Sequence, residues 1–154
     1  MPKVDFYMLH TRADRGLERF ACQLANKAWN TPVDEAKDDS PNNRIYIHCM
    51  SREQAIALDK LLWTYQDISF VPHDLFPDVQ NSVAPIRIGY TEDRACEDMD
   101  VLINLSLEVP IFFEKFRRIA EVVDEDAAVL AAAKNRCGFY WDHGDNIQIH
   151  HIQR

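Results

Sequence analysis

The run Ile45-Tyr46-Ile47-His48-Cys49-Met50, followed by Ser51-Arg52-Glu53-Gln54-Ala55-Ile56-Ala57-Leu58, decides the fold class of this chain. Its first six residues are almost continuously apolar, which suits a central strand buried on both faces. Ser51 and Gln54 have the capping-box spacing, with a hydroxyl and an amide placed for the first unpaired N–H groups of a helix. Ala55, Leu58, Leu62 and Tyr65 give that helix its inner face. Towards the N-terminus, Val4 to Leu9 reads as an earlier strand and Thr11 to Gly16 as a polar turn. Leu17, Phe20, Ala21, Leu24 and Ala28 then recur at helical spacing, so a helix runs to about Trp29. A strand–helix–strand–helix start favours an α/β sheet with right-handed crossovers. The stretch 31–43 between the two units is acidic, holds two prolines and has no apolar period, which predicts a surface loop.

Downstream, Ser69-Phe70-Val71-Pro72-His73 predicts a short edge or loop segment limited by its proline. Ile86–Tyr90 and Val101–Leu105 are strand candidates, separated by a charged loop. Ile111–Phe116 reads as a short helix and Ile119–Val123 as another strand. Asp124-Glu125-Asp126 puts negative charge at a helix start, where the macrodipole favours it. That helix passes Val129, Leu130 and Ala133 towards Tyr140, Gly144 suits its C-cap, and Ile147-Gln148-Ile149 suggests a terminal strand. At 154 residues the chain is one ordinary domain, with no internal repeat.

Several function classes are disfavoured. A net charge of −8 opposes attachment to nucleic acid by overall field. No apolar run reaches the roughly 20 residues of a membrane span, and no signal-peptide pattern opens the chain. Cys22, Cys49, Cys96 and Cys137 are scattered, as thiols in a reducing cytoplasm. Gly16, Gly89, Gly138 and Gly144 lie too far apart to form a phosphate-cradling loop. His143, His150 and His151 invite a metal reading, but adjacent strand residues point to opposite faces, so no metal is expected. Cys49 with His48 or His73 and Asp74 could in principle be catalytic. No motif surrounds them, and a cysteine inside an apolar strand behaves as a small hydrophobe. Trp63, Tyr65, Phe70, Val71, Pro72 and Leu75 form the densest apolar cluster, which fits a core or an interface equally. Lys134 and Arg136 read, on position alone, as a solvated pair matched to the helix dipole.

Leu58-Asp59-Lys60-Leu61-Leu62-Trp63, followed by Ser69-Phe70-Val71-Pro72-His73-Asp74-Leu75, resembles the chi subunit family of bacterial DNA polymerase III, whose pattern is LDxxLW, a spacer, then SFVPH. Val4–Leu9, Ala84-Pro85-Ile86, Val101–Leu105 and Glu121–Asp124 extend the likeness over almost the whole chain, with 31–43 as an apparent insertion. The resemblance implies a single-domain, Rossmann-like three-layer α/β sandwich with a mostly parallel sheet and no nucleotide-binding loop. It implies a non-catalytic adaptor without cofactor, cytoplasmic, linking psi and the clamp loader to the acidic C-terminal tail of single-stranded DNA-binding protein. DNA would be engaged only indirectly.

Trp63 and Phe70, with Val71 and Pro72, would face psi, or a helicase in some family members. The tail would bind the last helix, where the family reads R-x-R-Y-(R/K)-x-Y and this chain reads Lys134-Asn135-Arg136-Cys137-Gly138-Phe139-Tyr140. Lys134 would make first contact, Arg136 would supply field or packing, and Leu130 and Tyr140 would complete the site. Lysine meets a carboxylate without the planar bidentate fork of arginine. The alternative is a Rossmann-like small-molecule enzyme of unknown reaction.

Overall fold

The computed structural model describes residues 2–10, 15–30, 43–64, 73–75, 84–91 and 99–153. Its strands are β1 (Lys3–His10), β2 (Ile45–His48), β3 (His73–Leu75), β4 (Ile86–Gly89), β5 (Val101–Asn104), β6 (Arg118–Val123) and β7 (Asn146–Gln153). They form one sheet in the order β3-β4-β2-β5-β6-β1-β7. Every pairing is parallel, where the sequence predicted a mostly parallel sheet. The helices are α1 (Gly16–Asn30), α2 (Arg52–Thr64) and α3 (Ala127–His143).

Side-chain alternation along the strands builds two apolar layers. Ile45 and Ile47 of β2, Val101 and Ile103 of β5, and Ala120 and Val122 of β6 pack with Leu17, Ala21, Ala25, Ala55, Leu58 and Leu62 of α1 and α2. The alternate residues Val4, Phe6, Tyr46, Leu102, Ile119 and Val123 pack with Phe112, Phe113, Phe116 and the α3 residues Ala133 and Tyr140. The sheet therefore lies between α1 and α2 on one side and α3 on the other. All four residues of β2 are buried, as its apolar run predicted.

Local chemistry closes the helices. Ser51 Oγ accepts from Gln54 N at 3.1 Å, and Gln54 Oε1 accepts from Met50 N at 2.8 Å. Asp126 accepts from Ala128 N and Val129 N, and Gly144 at φ 88° ends α3 in the left-handed conformation that glycine adopts freely. Two expectations change. The short helix over 111–116 is a single 3-10 turn, Phe113–Lys115, and the terminal strand runs eight residues, pairing with β1 along its length. Tyr65, Phe70, Val71, Pro72 and the loop 31–42 lie outside the described residues.

His48 ends β2 in this interior, 2% exposed and edge-on to Phe112 at 5.4 Å. Among the described residues its Nδ1 has no hydrogen-bond partner. Burial disfavours the imidazolium and lowers its pKa to about 4. The unfolded chain therefore takes up a proton at this position as pH falls from about 6.5, while the folded chain excludes it until about 4. Stability should be fully retained above that window and fall across it, by on the order of 3 kcal/mol at roughly 1.4 kcal/mol per pH unit. Urea unfolding at pH 7, 5.5 and 4.5 checks this. His48→Gln should flatten the dependence, and an equal slope in that variant would assign it to other groups.

Candidate functional site

Two patches, one towards each end of the sheet, carry the exposed residues Trp63 and Lys134 that the sequence singled out. The first is the end of α2 against edge strand β3. Asp59 and Trp63 lie four apart on α2 and so share a face. The Trp63 ring sits 4.0 Å from that of His73, and His73 Nε2 lies 3.5 Å from Asp59 Oδ1. Leu58 and Leu62 are completely buried beneath, while Trp63 remains 55% exposed. Trp63 of LDxxLW and His73 of SFVPH thus meet, with a buried imidazole supporting an exposed indole.

The second patch lies on α3, and the orientation of that helix follows from Glu121 on β6. This carboxylate is fully buried. Arg136 Nε donates to its Oε1 at 2.8 Å, Tyr140 Oη donates to Oε2 at 2.7 Å, and Asn104 Nδ2 donates to both oxygens at 3.2 and 3.0 Å. Arg136 Nη1 also donates to Leu107 O at 3.1 Å. Burial pushes the Glu121 carboxyl above the usual carboxylate range, opposed by Arg136, Asn104 and Tyr140. Burial and the adjacent Glu121 push the Tyr140 phenol upward. Arg136 and Tyr140 are therefore buried, with their polar ends spent on Glu121, and Arg136 is not a member of a solvated pair with Lys134.

Lys134, two residues from Arg136 and roughly 200° around the axis, is exposed. At roughly 100° per residue, Leu130, Lys134, Cys137 and Trp141 fall within an arc of about 60° on the flank away from Arg136. Leu130 and Cys137 are half-buried, and Trp141 is 75% exposed. Strand β7 packs on α3 and turns Ile147 and Ile149 to the same face of the sheet. The result is an apolar stripe with one cation. The sequence did not single out Trp141 and Ile149 as site residues, because neither belongs to a motif and the place of β7 depends on its returning beside β1.

The enzyme alternative finds no support in its own geometry. Burial pushes the thiol of Cys22 up to about 12 and that of Cys49 further still, so the pair His48 and Cys49 is a neutral imidazole beside a protonated thiol. Arg15, Glu18, Ser51, Glu53 and Asp124 line the hollow at the start of α1 and α2, where nucleotide-binding sheets hold phosphates. Arg15 is spent on Glu18 and Glu53, at 3.1 and 2.9 Å, and the capping box occupies the α2 terminus. The histidines expected to be unrelated are held separately. His143 contacts Glu114 and Asp145, His150 contacts Asp5, and His151 contacts His10. Among the described residues, no three potential metal ligands converge.

The family model for the DNA polymerase III chi subunit, HolC, matches residues 1–148. DNA polymerase III subunit chi of Pseudomonas aeruginosa is 34% identical over 154 residues, covering 100% of this chain and 99% of that protein. The same-named proteins of Haemophilus influenzae and Escherichia coli K12 are 31% and 27% identical, over 85% and 96% of this chain and 84% and 96% of theirs. The crystal structure of T4 UvsW is similar in fold alone, with a TM-score of 0.66 at 8% identity, covering 98% of this chain and 41% of that one.

Removing Glu121 while Arg136 stays buried leaves an unpaired guanidinium. Glu121→Ala should therefore cost about 3–5 kcal/mol in urea unfolding. Replacing both partners, Glu121→Leu with Arg136→Met, should recover part of that loss, because the penalty of the unpaired charge disappears while Tyr140 Oη and Asn104 Nδ2 still lack their acceptor. Additive losses in the double variant would mean that the two side chains act independently.

Proposed function

The chain belongs to the chi subunit family of DNA polymerase III, and on that premise we propose that it is a two-ended adaptor inside the replicative polymerase. It binds psi and the clamp loader at one end of its sheet and the acidic tail of single-stranded DNA-binding protein at the other. The observation that carries this reading is the separation of the two tryptophan-bearing patches. Trp63 lies on the helix that packs on β3 and β4, and Trp141 on the helix that packs on β6 and β7. An adaptor needs two surfaces that one partner cannot cover together. Strands β2 and β5 and the α1 layer lie between these two.

At the β3 end, Trp63 is the anchor for psi, with Phe70, Val71 and Pro72 extending the contact. A helicase is an alternative occupant of the same surface. An indole already held against His73 loses little further freedom on binding, which favours it as a hot spot. At the β7 end, Lys134 receives the terminal carboxylate or an aspartate of the tail. Leu130, Trp141 and Ile149 take its apolar side chains. Arg136 and Tyr140 serve that site by fixing α3 through Glu121. The protein works in the cytoplasm and meets DNA through these partners. Among the described residues, no helix is long and apolar enough to cross a membrane.

The two surfaces predict a crossed pattern in calorimetry. Trp63→Ala and Phe70→Ala should each weaken psi by about 2 kcal/mol or more, roughly thirtyfold, and leave the tail peptide unaffected. Lys134→Ala should weaken an acidic tail peptide with a free carboxylate about tenfold at low salt and leave psi unaffected. The wild-type peptide affinity should be micromolar and fall with added salt. Loss of both partners from one substitution, or unchanged affinities in all three variants, would reject the adaptor reading.

A further inference from the structure

We infer that the cleft between α1 and the N-terminal ends of β1, β5 and β6 is a binding site for a small organic acid, a carboxylate carried on a short branched aliphatic group. This does not depend on the adaptor reading, and neither Trp63 nor Lys134 lines the cleft. The cleft follows from side-chain size. In the register of the sheet, Asp5, Ala120 and Ile103 stand side by side on the face that α1 covers. Leu24, Lys27 and Ala28 lie three or four apart on α1 and so share the face turned towards them. Ala120 is short between its neighbours, and Ala28 is short on the helix. A space of about 90 Å³ remains between the two layers. Tyr7 forms one wall, its ring held 5.5 Å from that of Phe20 and 5.0 Å from that of His150, so the cleft is shaped before a ligand arrives.

The lining selects the ligand. Leu24, Ala28, Val101, Ile103 and Ala120 give the floor no polar side-chain atom, so water there is poorly held and an apolar group displaces it favourably. An apolar cavity of roughly 150 Å³ takes up benzene, and on that scale this one suits a branched group of about four carbons. The mouth is polar and, in a chain of net charge −8, locally positive. Arg118 and Lys27 both line it. Arg118 gives one N–H to Asp5 at 3.2 Å and its side chain is 48% exposed, so further donors remain for a carboxylate. Arg117 stands behind Asn43, donating to its Oδ1 at 2.7 Å. Asp5 is the carboxylate that an anionic ligand meets at the mouth. It is buried, and both Arg118 and His150 contact it, the latter at 2.9 Å, so its charge is already answered from within the protein.

The test is a titration of the whole chain with sodium isovalerate, followed by amide and methyl chemical shifts. The controls are 3-methylbutanol, which lacks the charge, and acetate, which lacks the branched group. Isovalerate should bind saturably with a Kd of about 1 mM or tighter, moving the signals of Ala28, Ile103 and Ala120. Each control should bind at least tenfold more weakly. Arg118→Gln and Lys27→Gln should each weaken isovalerate about tenfold and leave the alcohol unchanged. Ala28→Leu, which fills the cleft, should abolish binding with unchanged circular dichroism and Tm. Should Arg118→Gln fail to fold, Lys27→Gln and the loss of isovalerate affinity with added salt read the same charge contact. The absence of a saturable response at tens of millimolar overturns the proposal, as does binding indifferent to Ala28→Leu. Equal affinity for the alcohol and the acid overturns the carboxylate. N-acetyl-valine binding more tightly than isovalerate would put a peptide C-terminus in the cleft and overturn the free acid.

Discussion

Glu121 sits at the centre of the sheet without solvent, and a buried carboxylate is tolerated only where donors surround it. Three side chains from two elements converge on it: Asn104 from β5, and Arg136 and Tyr140 from α3. Asn104 is itself held, donating to Glu108 O at 3.1 Å and accepting from Ser106 N at 3.1 Å, which fixes the turn after β5. Arg136 reaches Leu107 O in the same turn. The cluster thus joins β5, β6, the following turn and α3 into one unit. A carboxylate specifies direction as well as energy, so α3 has one rotation about its axis in which every donor is used.

That rotation decides which residues of α3 are available to a partner. With Arg136 and Tyr140 turned inward, Leu130, Lys134, Cys137 and Trp141 lie on the outer flank. The aromatic rings support the same arrangement, since Tyr140 meets Phe6 and Phe113 edge-on at 6.0 and 5.9 Å. The buried arginine, the residue in the motif best suited to grip a carboxylate, grips one inside the protein. The exposed cation is the lysine, a point charge on a flexible stem whose contact is weaker and more salt-sensitive.

The sheet resembles nucleotide-binding sheets in layering and in its parallel strands, yet the crevice at its strand ends is used differently. Phosphate binding there needs free backbone N–H groups and close approach of the ligand to the backbone. Ser51 and Gln54 take up the start of α2, and Glu18, Glu53 and Asp124 bring carboxylates to the hollow. Gly89 shows where close packing did require a glycine, because a Cβ there would collide with the Tyr46 hydroxyl. In this chain the glycine admits a tyrosine of its own core.

Short-range chemistry was legible in the residues themselves. The apolar run at Ile45 specified a buried central strand, Ser51 and Gln54 a cap, and the acidic run ending at Asp126 and Gly144 the two ends of α3, whereas the residues around Trp63 fitted a core or an interface equally. The strand, the cap and the helix ends each depend on residues a few positions apart. What the tertiary structure decided depends on residues far apart. Arg136 looked like a solvated partner of Lys134 until Glu121, fifteen residues earlier on another element, supplied a buried counter-charge. The strand order, the eight-residue reach of β7 along β1 and the exposure of Trp141 and Ile149 share that origin. Sequence determines periodicity and capping because they are local. Which face of a helix is spent inside the protein is settled only when a distant strand presents the group that must be neutralised.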